Sequence, residues 1–254
     1  MIDCIIQARM GSSRLPGKVM MKIDSNHTVL DSIISQLEHC KLINRIIIAT
    51  TKKDEDNIIE KYCLKNLINI FRGNELDVLD RYFQCAKEYD SKDIVRITAD
   101  CPLIDPEIVD KVISEYIEKK YDYSSNVLNR TFPIGTDVEV FSFKILKKVW
   151  ENAKLPSERE HVTLFIRNNK VKCKIGNFES KKNLKHIRIT LDRQEDLELL
   201  REIKKNLKQK PILINDIVKL MNEKPELLKI NQNILNDEGI KKSLRIDEEH
   251  ILKD

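Results

Sequence analysis

The chain has 254 residues and a mass of 29.8 kDa, enough for one large α/β domain or two small ones with a substantial buried core. Hydrophobic residues make up 41% and charged residues 34%, a balance that excludes a disordered chain. The net charge of +4 is too small to indicate a nucleic-acid or membrane-surface partner, and no apolar run reaches the ~20 residues of a membrane-spanning helix.

The N-terminus and the cysteines indicate the cellular compartment. The chain opens on an apolar segment without the basic stretch and small-residue cleavage site of a signal peptide. The six cysteines are widely scattered and none forms a C-x-x-C pair, so we expect buried free thiols rather than disulfides or a zinc site. Both features favour a reducing cytoplasm.

Short β-branched segments are predicted as strands. They cover residues 4–8, 45–50, 68–71, 94–98, 137–141, 172–177 and 186–191. The segments RIIIATT and DIVRITAD are apolar enough for central strands that are covered on both faces.

Longer stretches of helical periodicity separate these strands, since their apolar residues recur at three- or four-residue spacing. Asp105 followed by Pro106 predicts an N-cap with proline at the first helical position. Ser142 and Asn215 are predicted to cap two further helices, and residues 192–209 are predicted as one helix.

The alternation of strand and helix predicts parallel βαβ units in a three-layer α/β/α domain with a mostly parallel sheet. Such domains bind ligands at the carboxyl ends of the strands, beside a switch point in the strand order. After about residue 177 the chain becomes more helical and rich in lysine. We predict an α/β domain over residues 1–210 and a helical appendage over 211–254 that packs on it, with the final ten residues expected to fray.

A cationic loop, QARMGSSRLPGK, follows the first strand. Its backbone N–H groups and its cations Arg9, Arg14 and Lys18 suit a triphosphate, and a solvated basic surface loop is the alternative interpretation. A Walker P-loop is excluded, because five residues instead of four separate Gly11 from Gly17 and no Ser or Thr follows the lysine. The G-x-G-x-x-G dinucleotide pattern is absent as well.

Two aspartates end apolar strand segments. Asp100 ends RITAD, and Asp192 ends RITLD just before a predicted helix. Each carboxylate is placed either to cap the following turn or helix, or to hold a hard cation that bridges phosphate oxygens. Together with the cationic loop, they form a more specific set than any one motif.

These motifs resemble the cytidylyltransferases that make CMP-activated sugars, including the CMP-Kdo and CMP-sialic acid synthetases. The loop ARMGSSRLPGK is similar to the signature of that family, and the similarity runs from residue 2 to about 245. Five further blocks resemble the spore-coat polysaccharide F branch: FRGNELDVLDRY at 71–82, RITADCPLIDP at 96–106, PIGTDVEVFS at 133–142, SEREHVTLFIR at 157–167 and ITLDRQEDLELL at 189–200.

The resemblance implies a Rossmann-like nucleotide-diphospho-sugar transferase fold, usually dimeric. It implies a Mg²⁺-dependent enzyme that transfers CMP from CTP to a sugar acid or related small acceptor and releases pyrophosphate, in surface polysaccharide biosynthesis. Two alternatives stay open: the same fold acting on a phosphorylated or phosphonate acceptor, and a nucleotide-binding subunit without catalysis. The second is disfavoured because a pure binding module has no need of metal carboxylates.

The resemblance also implies residue roles. Arg14, Lys18 and Asp100 are implied as catalytic, and Asp100 with Asp192 as the magnesium ligands. Arg193 and Gln194 replace the Thr-Pro that usually follows the second aspartate of the family. The residues that the resemblance implies as nucleotide-binding are Ala8, Arg9, Gly11, Ser12, Ser13, Arg14, Lys18, Arg72 and Thr98.

The candidate acceptor residues are more scattered. Asp137 and Glu139 alternate along a predicted strand and share one face, where they either bind acceptor hydroxyls or pair with surface lysines. His161 opens a predicted helix and is either a structural or capping residue or an acceptor contact. The full set is Asn126, Arg130, Asp137, Glu139, Glu160 and His161.

Overall fold

A seven-stranded sheet forms the middle layer of the computed structural model, which describes residues 2–236 and 238–252. Its strands are β1 (Ile2–Gln7), β2 (Arg45–Thr51), β3 (Asn69–Gly73), β4 (Asp93–Thr98), β5 (Tyr123–Ser125), β6 (Glu139–Ser142) and β7 (Ile175–Asn177). The helices are α1 (Val29–Leu37), α2 (Asn57–Lys65), α3 (Val78–Glu88), α4 (Pro106–Lys119), α5 (Phe143–Asn152), α6 (Pro156–Glu160), α7 (Leu164–Arg167), α8 (Gln194–Asn206), α9 (Ile214–Glu223) and α10 (Glu238–Ile251). Short 3₁₀ segments cover Lys18–Met20, Asp54–Asp56 and Pro225–Lys229.

The strand order is β3-β2-β1-β4-β6-β5-β7. β1 pairs in parallel with both β2 and β4, and β2 pairs in parallel with β3. β6 is antiparallel to its neighbours β4 and β5, whereas β5 and β7 are parallel. The predicted mostly parallel sheet is confirmed. The chain leaves β1 toward β2 on one side and reaches β4 on the other, which opens a crevice at the carboxyl ends of β1 and β4.

Side chains on β1 alternate between two cores on opposite faces of the sheet. Cys4 and Ile6 join the core built with α1, α4, α8 and α9, whereas Ile5 joins the core built with α3 and α5. The layers are therefore helix, sheet and helix, as predicted. Within the described part of the chain every cysteine is a free thiol, buried except at Cys40 and Cys173, which are partly exposed.

Helix starts follow the predicted capping residues in two of three cases. Asp105 caps α4 by accepting from the N–H of Glu107 at 2.8 Å, and Ser142 caps α5. The prediction for Asn215 was wrong, because α9 already begins at Ile214. The Ile214 N–H donates to the second carboxylate oxygen of Asp105 at 2.8 Å, so one aspartate fixes the starts of two helices.

The strand predicted at residues 186–191 is not formed. This segment makes one isolated bridge, between Ile134 and Arg188. Gly135 has φ of 101°, and a Cβ on it would lie 2.5 Å from the Thr190 nitrogen, so the two backbones cross too closely for a regular ladder. The crossing instead brings Leu191 against β4, where its N–H donates to the Asp100 carbonyl at 2.8 Å.

Other boundaries differ from the sequence prediction. The three-residue strand β5 was not predicted, and the helix predicted over 192–209 is shorter, as α8. The chain expected to fray from residue 245 is helical to Ile251, and residues 253–254 lie outside the described residues. Among the described helices, none has the length and apolar character that crossing a membrane requires.

Candidate active site

The loop after β1, residues 8–17, is held in a closed turn, and we call it the β1 loop. Its Met10 carbonyl accepts from the N–H groups of Ser12 and Gly17, both at 2.8 Å. The Met10 N–H donates to Asp56 Oδ1 at 2.7 Å, and Asp56 is fully buried. Gly17 has φ of 71°, a left-handed conformation that favours glycine, and it turns the chain into the 3₁₀ segment that begins at Lys18.

Four charged side chains from three segments meet beside this loop and form what we call the charge cluster: Arg14, Lys18, Asp100 and Asp192. Lys18 Nζ lies 2.9 Å from Asp192 Oδ1 and 3.4 Å from Asp100 Oδ2, and it donates to the Leu191 carbonyl at 2.6 Å. Arg14 Nη2 lies 2.6 Å from the same Asp192 oxygen. The cationic loop and the two predicted aspartates therefore share one site, at the carboxyl ends of β1 and β4.

Burial and charge oppose each other in this cluster. Burial alone would lower the pKa of Lys18, but Asp100 and Asp192 outweigh it and hold the pKa above the usual value for lysine. Burial alone would raise the pKa of Asp192, and Lys18 with Arg14 hold it below the usual value. Both groups are charged at neutral pH. Asp192 does not cap α8, because Asp196 accepts from the N–H groups of Asp192 and Arg193.

The donor set fits a magnesium ion that arrives with phosphate. Two carboxylates converge on the Lys18 ammonium, and Mg²⁺ is bound in proteins by one or two carboxylates together with waters and substrate phosphates. No group of three or more His, Cys, Asp or Glu side chains in the described ranges is placed to hold a metal by itself. This chemistry matches an ion shared with a nucleotide rather than a permanent structural metal.

Three cavities meet at the cluster. The loop cavity, about 580 Å³, lies between the β1 loop and α10. The strand-end cavity, about 770 Å³, extends toward Arg130, Asp137 and Arg188. The inner cavity, about 230 Å³, reaches Ala8 and α3. All three are lined by Arg14, Thr98 and Asp100.

Most of the residues predicted to bind the nucleotide line the loop cavity or the inner cavity. Ala8 lines the inner cavity, and Thr98 donates to Asp100 Oδ1 at 2.5 Å. The predicted residues that line the loop cavity are Arg9, Gly11, Ser12, Ser13, Arg14, Lys18, Thr98 and Asp100.

Arg72 does not join them, and its predicted nucleotide contact is not supported by the geometry. Its guanidinium donates to the Thr51 and Lys53 carbonyls, both at 2.8 Å, and pairs with Glu60 at 2.6 Å. A further bond to Asn57 at 2.7 Å uses Nη1. The side chain thus clamps the ends of β2 and β3 onto α2.

A different arginine of the same sequence block reaches the inner cavity. Arg81 is 2% exposed and lines the cavity near Ala8 and Arg9. Its Nη1 donates to the Asn74 carbonyl at 3.1 Å, but its Nε has no partner among the described residues, and no carboxylate pairs with it there. Burial lowers the pKa of Arg81, and Arg9 adds to this effect. The signal missed in the sequence was a charged residue within the apolar face of a helix.

The acceptor candidates Asp137 and Glu139 pair with arginines and not with surface lysines. The guanidinium of Arg130 donates to both carboxylate oxygens of Asp137, at 2.6 and 2.7 Å, and both residues line the strand-end cavity. Glu139 is buried against Arg96 and accepts from Tyr123 at 2.6 Å. Asp137 precedes β6 instead of lying within it.

Asn126 does not line any of the three cavities. It is fully buried, donates to the Thr136 carbonyl at 2.7 Å and accepts from the Val138 N–H at 2.9 Å. These bonds shape the segment before β6. The predicted acceptor contact of Asn126 is therefore replaced by a structural role.

Glu160 and His161 lie at the end of α6, where α10 packs on them. Ser243 of α10 lies 3.0 Å from His161 Nε2 and donates to Glu160 Oε2 at 2.5 Å. His161 lines both the strand-end and the inner cavity. At its N-terminus α10 places Glu238 2.9 Å from Arg193 and 3.7 Å from Arg14. The contribution of α10 to the site was not predicted from the sequence.

A family comparison connects this geometry with known proteins. The sequence profile of the family described as cytidylyltransferase matches residues 4–230. The chain belongs to the cytidylyltransferase family. Its membership, together with relatives that bear this name, establishes the chain as a nucleotidyltransferase with the Rossmann-like fold of those enzymes.

Several relatives align along most of the chain. An uncharacterized protein of Methanocaldococcus jannaschii is 38% identical over 232 residues, which cover 91% of this chain and 94% of the relative. The spore coat polysaccharide biosynthesis protein SpsF of Bacillus subtilis is 32% identical over 87% of this chain and 94% of its own length. The 3-deoxy-manno-octulosonate cytidylyltransferase 2 of Hydrogenovibrio crunogenus is 29% identical over 57% of this chain and 58% of its own length.

A solved structure agrees with the fold. The cytidylyltransferase from Leptospira borgpetersenii superposes with a TM-score of 0.87 at 32% identity, covering 92% of this chain and 99% of that one. The first sequence expectation, a cytidylyltransferase related to the spore-coat branch, is thereby confirmed at the level of the family.

Proposed function

We propose that this cytidylyltransferase transfers CMP from CTP to the hydroxyl of a sugar acid in a Mg²⁺-dependent reaction that releases pyrophosphate. The observation that carries the proposal is the meeting of three cavities at Arg14, Thr98 and Asp100. Transfer requires two substrates to be held with their reacting atoms together, and this is the point where separate cavities converge.

The triphosphate is assigned to the loop cavity. Arg14 of the β1 loop and Lys18, which directly follows that loop, line it, and both are already held at a cluster that contains two carboxylates. Phosphate oxygens form strong charge-assisted bonds with such cations. Arg14 and Lys18 then stabilise the negative charge that the leaving pyrophosphate gains.

The base is assigned to the inner cavity. Arg81 lines this cavity, and its buried guanidinium has no carboxylate partner among the described residues. Cytosine offers two adjacent acceptors, O2 and N3, whereas uracil presents an N3–H donor that opposes a guanidinium. A guanidinium in this place therefore favours cytosine over uracil.

Asp100 and Asp192 are the residues that would hold Mg²⁺, and that ion would neutralise charge on the phosphates. The chain itself keeps the Asp192 carboxylate ionised, because Lys18 and Arg14 lower its pKa against the effect of burial. Thr98 fixes the orientation of Asp100 by donating to its Oδ1.

The acceptor is assigned to the strand-end cavity. Arg167 and Lys185 line it, and neither forms an ion pair within residues 2–236 and 238–252. A sugar acid carries one carboxylate for such cations and several hydroxyls for the paired Arg130 and Asp137. The relatives named for spore coat polysaccharide and for 3-deoxy-manno-octulosonate support this acceptor class and a role in surface polysaccharide biosynthesis.

The chemistry is an in-line displacement at phosphorus. An acceptor oxygen attacks the α-phosphorus of CTP, its proton leaves, and the bond from that phosphorus to pyrophosphate breaks. The family resemblance further suggests a homodimer in the cytoplasm, which light scattering of the purified protein tests for the oligomer.

Pyrophosphate release with CTP, UTP, GTP and ATP, each with Mg²⁺ and a panel of sugar acids, phosphosugars and small phosphonates, tests the proposal. Release with CTP and a sugar acid supports it. If pyrophosphate is released only with a phosphorylated or phosphonate acceptor, that class replaces the sugar acids as the acceptor. CTP binding without release from any acceptor favours a nucleotide-binding subunit.

A further inference from the structure

His161 occupies the boundary between the two substrate cavities. The residue lines the strand-end cavity, assigned to the acceptor, and the inner cavity, assigned to the base end of the nucleotide. Thr98 and Asp100 line the same two cavities. His161 therefore borders the two cavities that share Thr98 and Asp100, the residues at which the proposed transfer takes place.

The hydrogen bonds of Ser243 determine the tautomer of His161. A serine hydroxyl has one proton to donate, and Ser243 Oγ lies 2.5 Å from Glu160 Oε2 and 3.1 Å from the Gly239 carbonyl, both of which only accept. A carboxylate oxygen at 2.5 Å competes for this proton better than an imidazole nitrogen at 3.0 Å, so Oγ donates to Glu160 and accepts from His161 Nε2. The neutral imidazole must therefore carry its proton on Nε2 and its lone pair on Nδ1.

That Nδ1 lone pair is available. Nδ1 makes no hydrogen bond with any residue in the described ranges. It is also not one of the sealed polar atoms without a partner, which are Thr50 Oγ1, Arg81 Nε, Arg96 Nε and Ser124 Oγ. This nitrogen is therefore left open to a ligand, and the residue that carries it lines two cavities.

We propose that His161 is the general base that takes the proton of the acceptor hydroxyl, and that Ser243 of α10 is the positioning residue that holds it in the Nε2–H tautomer. The inference rests on the proposed function. As the hydroxyl oxygen forms its bond to the α-phosphorus of CTP, its proton passes to His161 Nδ1. The electron pair of the breaking P–O bond leaves with pyrophosphate.

The charges around the ring agree with a neutral base. Burial lowers the pKa of His161, Glu160 on α6 and Glu139 on β6 oppose this, and Arg96 on β4 and Arg167 on α7 add to it. The net effect is a pKa of His161 below the usual value for histidine, so the imidazole is unprotonated at neutral pH. From α10, Ser243 contributes a neutral hydroxyl to the ring.

The anchor of α10 is independent of this contact. Asp247 accepts from the Ser157 N–H at 2.9 Å and from its hydroxyl, so the helix stays attached to α6 when Ser243 is changed. Ser243 also lies outside residues 4–230 that the family profile matches.

Nitrogen NMR on protein labelled with ¹⁵N in its histidines tests the tautomer without any substrate. The His161 signals are identified by their loss in His161→Gln. We expect Nε2 protonated and Nδ1 unprotonated in wild type near pH 7.5, and a mixture of tautomers in Ser243→Ala. An Nδ1-protonated ring, or an unchanged spectrum in Ser243→Ala, would overturn the inference.

Kinetics with CTP, Mg²⁺ and 3-deoxy-manno-octulosonate test the base itself. Glutamine keeps an N–H donor near the position of Nε2 but has no basic nitrogen, so we expect His161→Gln to lose 100-fold or more in kcat with the KM for CTP within threefold. Ser243→Ala should lose about tenfold in kcat by the same reasoning. His39→Gln and Lys241→Ala, exposed and away from the cavities, are the controls.

The pH profile separates a base from a structural residue. Wild-type kcat should rise with pH through the acidic range and reach a plateau, whereas His161→Gln should lack this rise. If the wild-type protein turns over and His161→Gln has the same kcat, the inference is overturned and the proposed function stays intact. No wild-type turnover with any acceptor of the panel overturns the proposed function, and the NMR result then decides the tautomer alone.

Discussion

Lys18 and Asp192 form an ion pair, with 2.9 Å between Nζ and Oδ1, across 174 residues of sequence. The lysine comes from the loop after β1 and the aspartate from the segment just before α8. Because Asp100 at the end of β4 also faces the ammonium at 3.4 Å, one side chain joins the three segments that build the site. The contacts of Lys18 and Arg14 also hold the pKa of Asp192 below its usual value, beside the loop cavity.

Replacing Lys18 by methionine keeps most of the apolar stem and removes the charge. We expect kcat/KM for CTP to fall 100-fold or more, which corresponds to ~3 kcal/mol of lost transition-state stabilisation. The free energy of unfolding should fall by ~1–3 kcal/mol, because Asp192 loses one of its buried partners. Steady-state kinetics and urea unfolding measure the two effects. Lys22→Met, which changes an exposed lysine, is the control. If Lys18→Met used CTP within a few-fold of wild type, the ammonium of Lys18 would serve only the fold.

Replacing Asp100 by asparagine separates metal binding from folding. Asparagine retains an oxygen for the Thr98 hydroxyl, which lies 2.5 Å from Asp100 Oδ1, but it lacks the negative charge. Turnover should drop at least 100-fold at saturating Mg²⁺, with the free energy of unfolding within ~1 kcal/mol of wild type. Asp54→Asn, on an exposed turn, should behave as wild type. Near-normal turnover of Asp100→Asn across a Mg²⁺ titration would exclude Asp100 as a ligand.

Arg72 and Arg81 come from one sequence block and are predicted to respond oppositely to substitution by methionine. Arg81→Met removes a buried cation without a carboxylate partner, so the free energy of unfolding should stay equal or rise. Its KM for CTP should rise tenfold or more, and the preference for CTP over UTP should shrink. Arg72→Met should lose ~1 kcal/mol of stability, because its ion pair with Glu60 is partly exposed, and should use CTP normally. If Arg72→Met impaired CTP use and Arg81→Met only lowered stability, the nucleotide contact would belong to Arg72 and the structural role to Arg81.

The acid sensitivity of the fold should depend on Asp3. Its side chain is fully buried, and although burial alone raises its pKa, Arg45 and Ser91 hold the pKa below the usual value. A lowered folded-state pKa adds stability above the unfolded value near 3.9, and this is lost as the pH falls through the folded pKa. Asp3→Asn should cost ~2 kcal/mol at pH 7, and the difference from wild type should shrink below pH 4. A pH-independent difference in urea unfolding between pH 7 and 3 would contradict this assignment.

The nucleotide side of the site was predictable because its residues lie close in sequence to strand ends. The β1 loop and Asp100 each follow a strongly apolar strand, so their place at the carboxyl edge of a parallel sheet follows from the fold class alone. The structure brings Arg14, Lys18, Asp100 and Asp192 together as expected. Whether each residue binds nucleotide or metal stays a prediction.

The acceptor side was less predictable, because it depends on pairings between distant segments. Asn126 is a polar loop residue in the sequence, but its amide satisfies backbone groups on both sides of the turn before β6. Glu139 lies in an alternating strand pattern that suits exposure, but it is buried and forms an ion pair with the partly buried Arg96 of the neighbouring strand. Periodicity carries no information about such partners.

The role of α10 was the largest omission, for a related reason. Its charged sequence is typical of a fraying terminus, yet Ser243 and Asp247, the two side chains that bond to α6 and to the residue after it, are buried. Two polar residues at four-residue spacing do not produce a hydrophobic signal. Their partners Ser157 and Glu160 lie more than 80 residues away, so no local pattern reveals the contact.

The position of the phosphorus label tests the central claim most directly. Wild-type protein is incubated with Mg²⁺, a sugar acid and CTP labelled at either the α- or the γ-phosphate, and the products are separated. The account predicts that the α label appears in the sugar-acid product and the γ label in pyrophosphate, because attack occurs at the α-phosphorus. Transfer of the γ label to the acceptor, or recovery of both labels only in unreacted CTP with every acceptor of the panel, would contradict it.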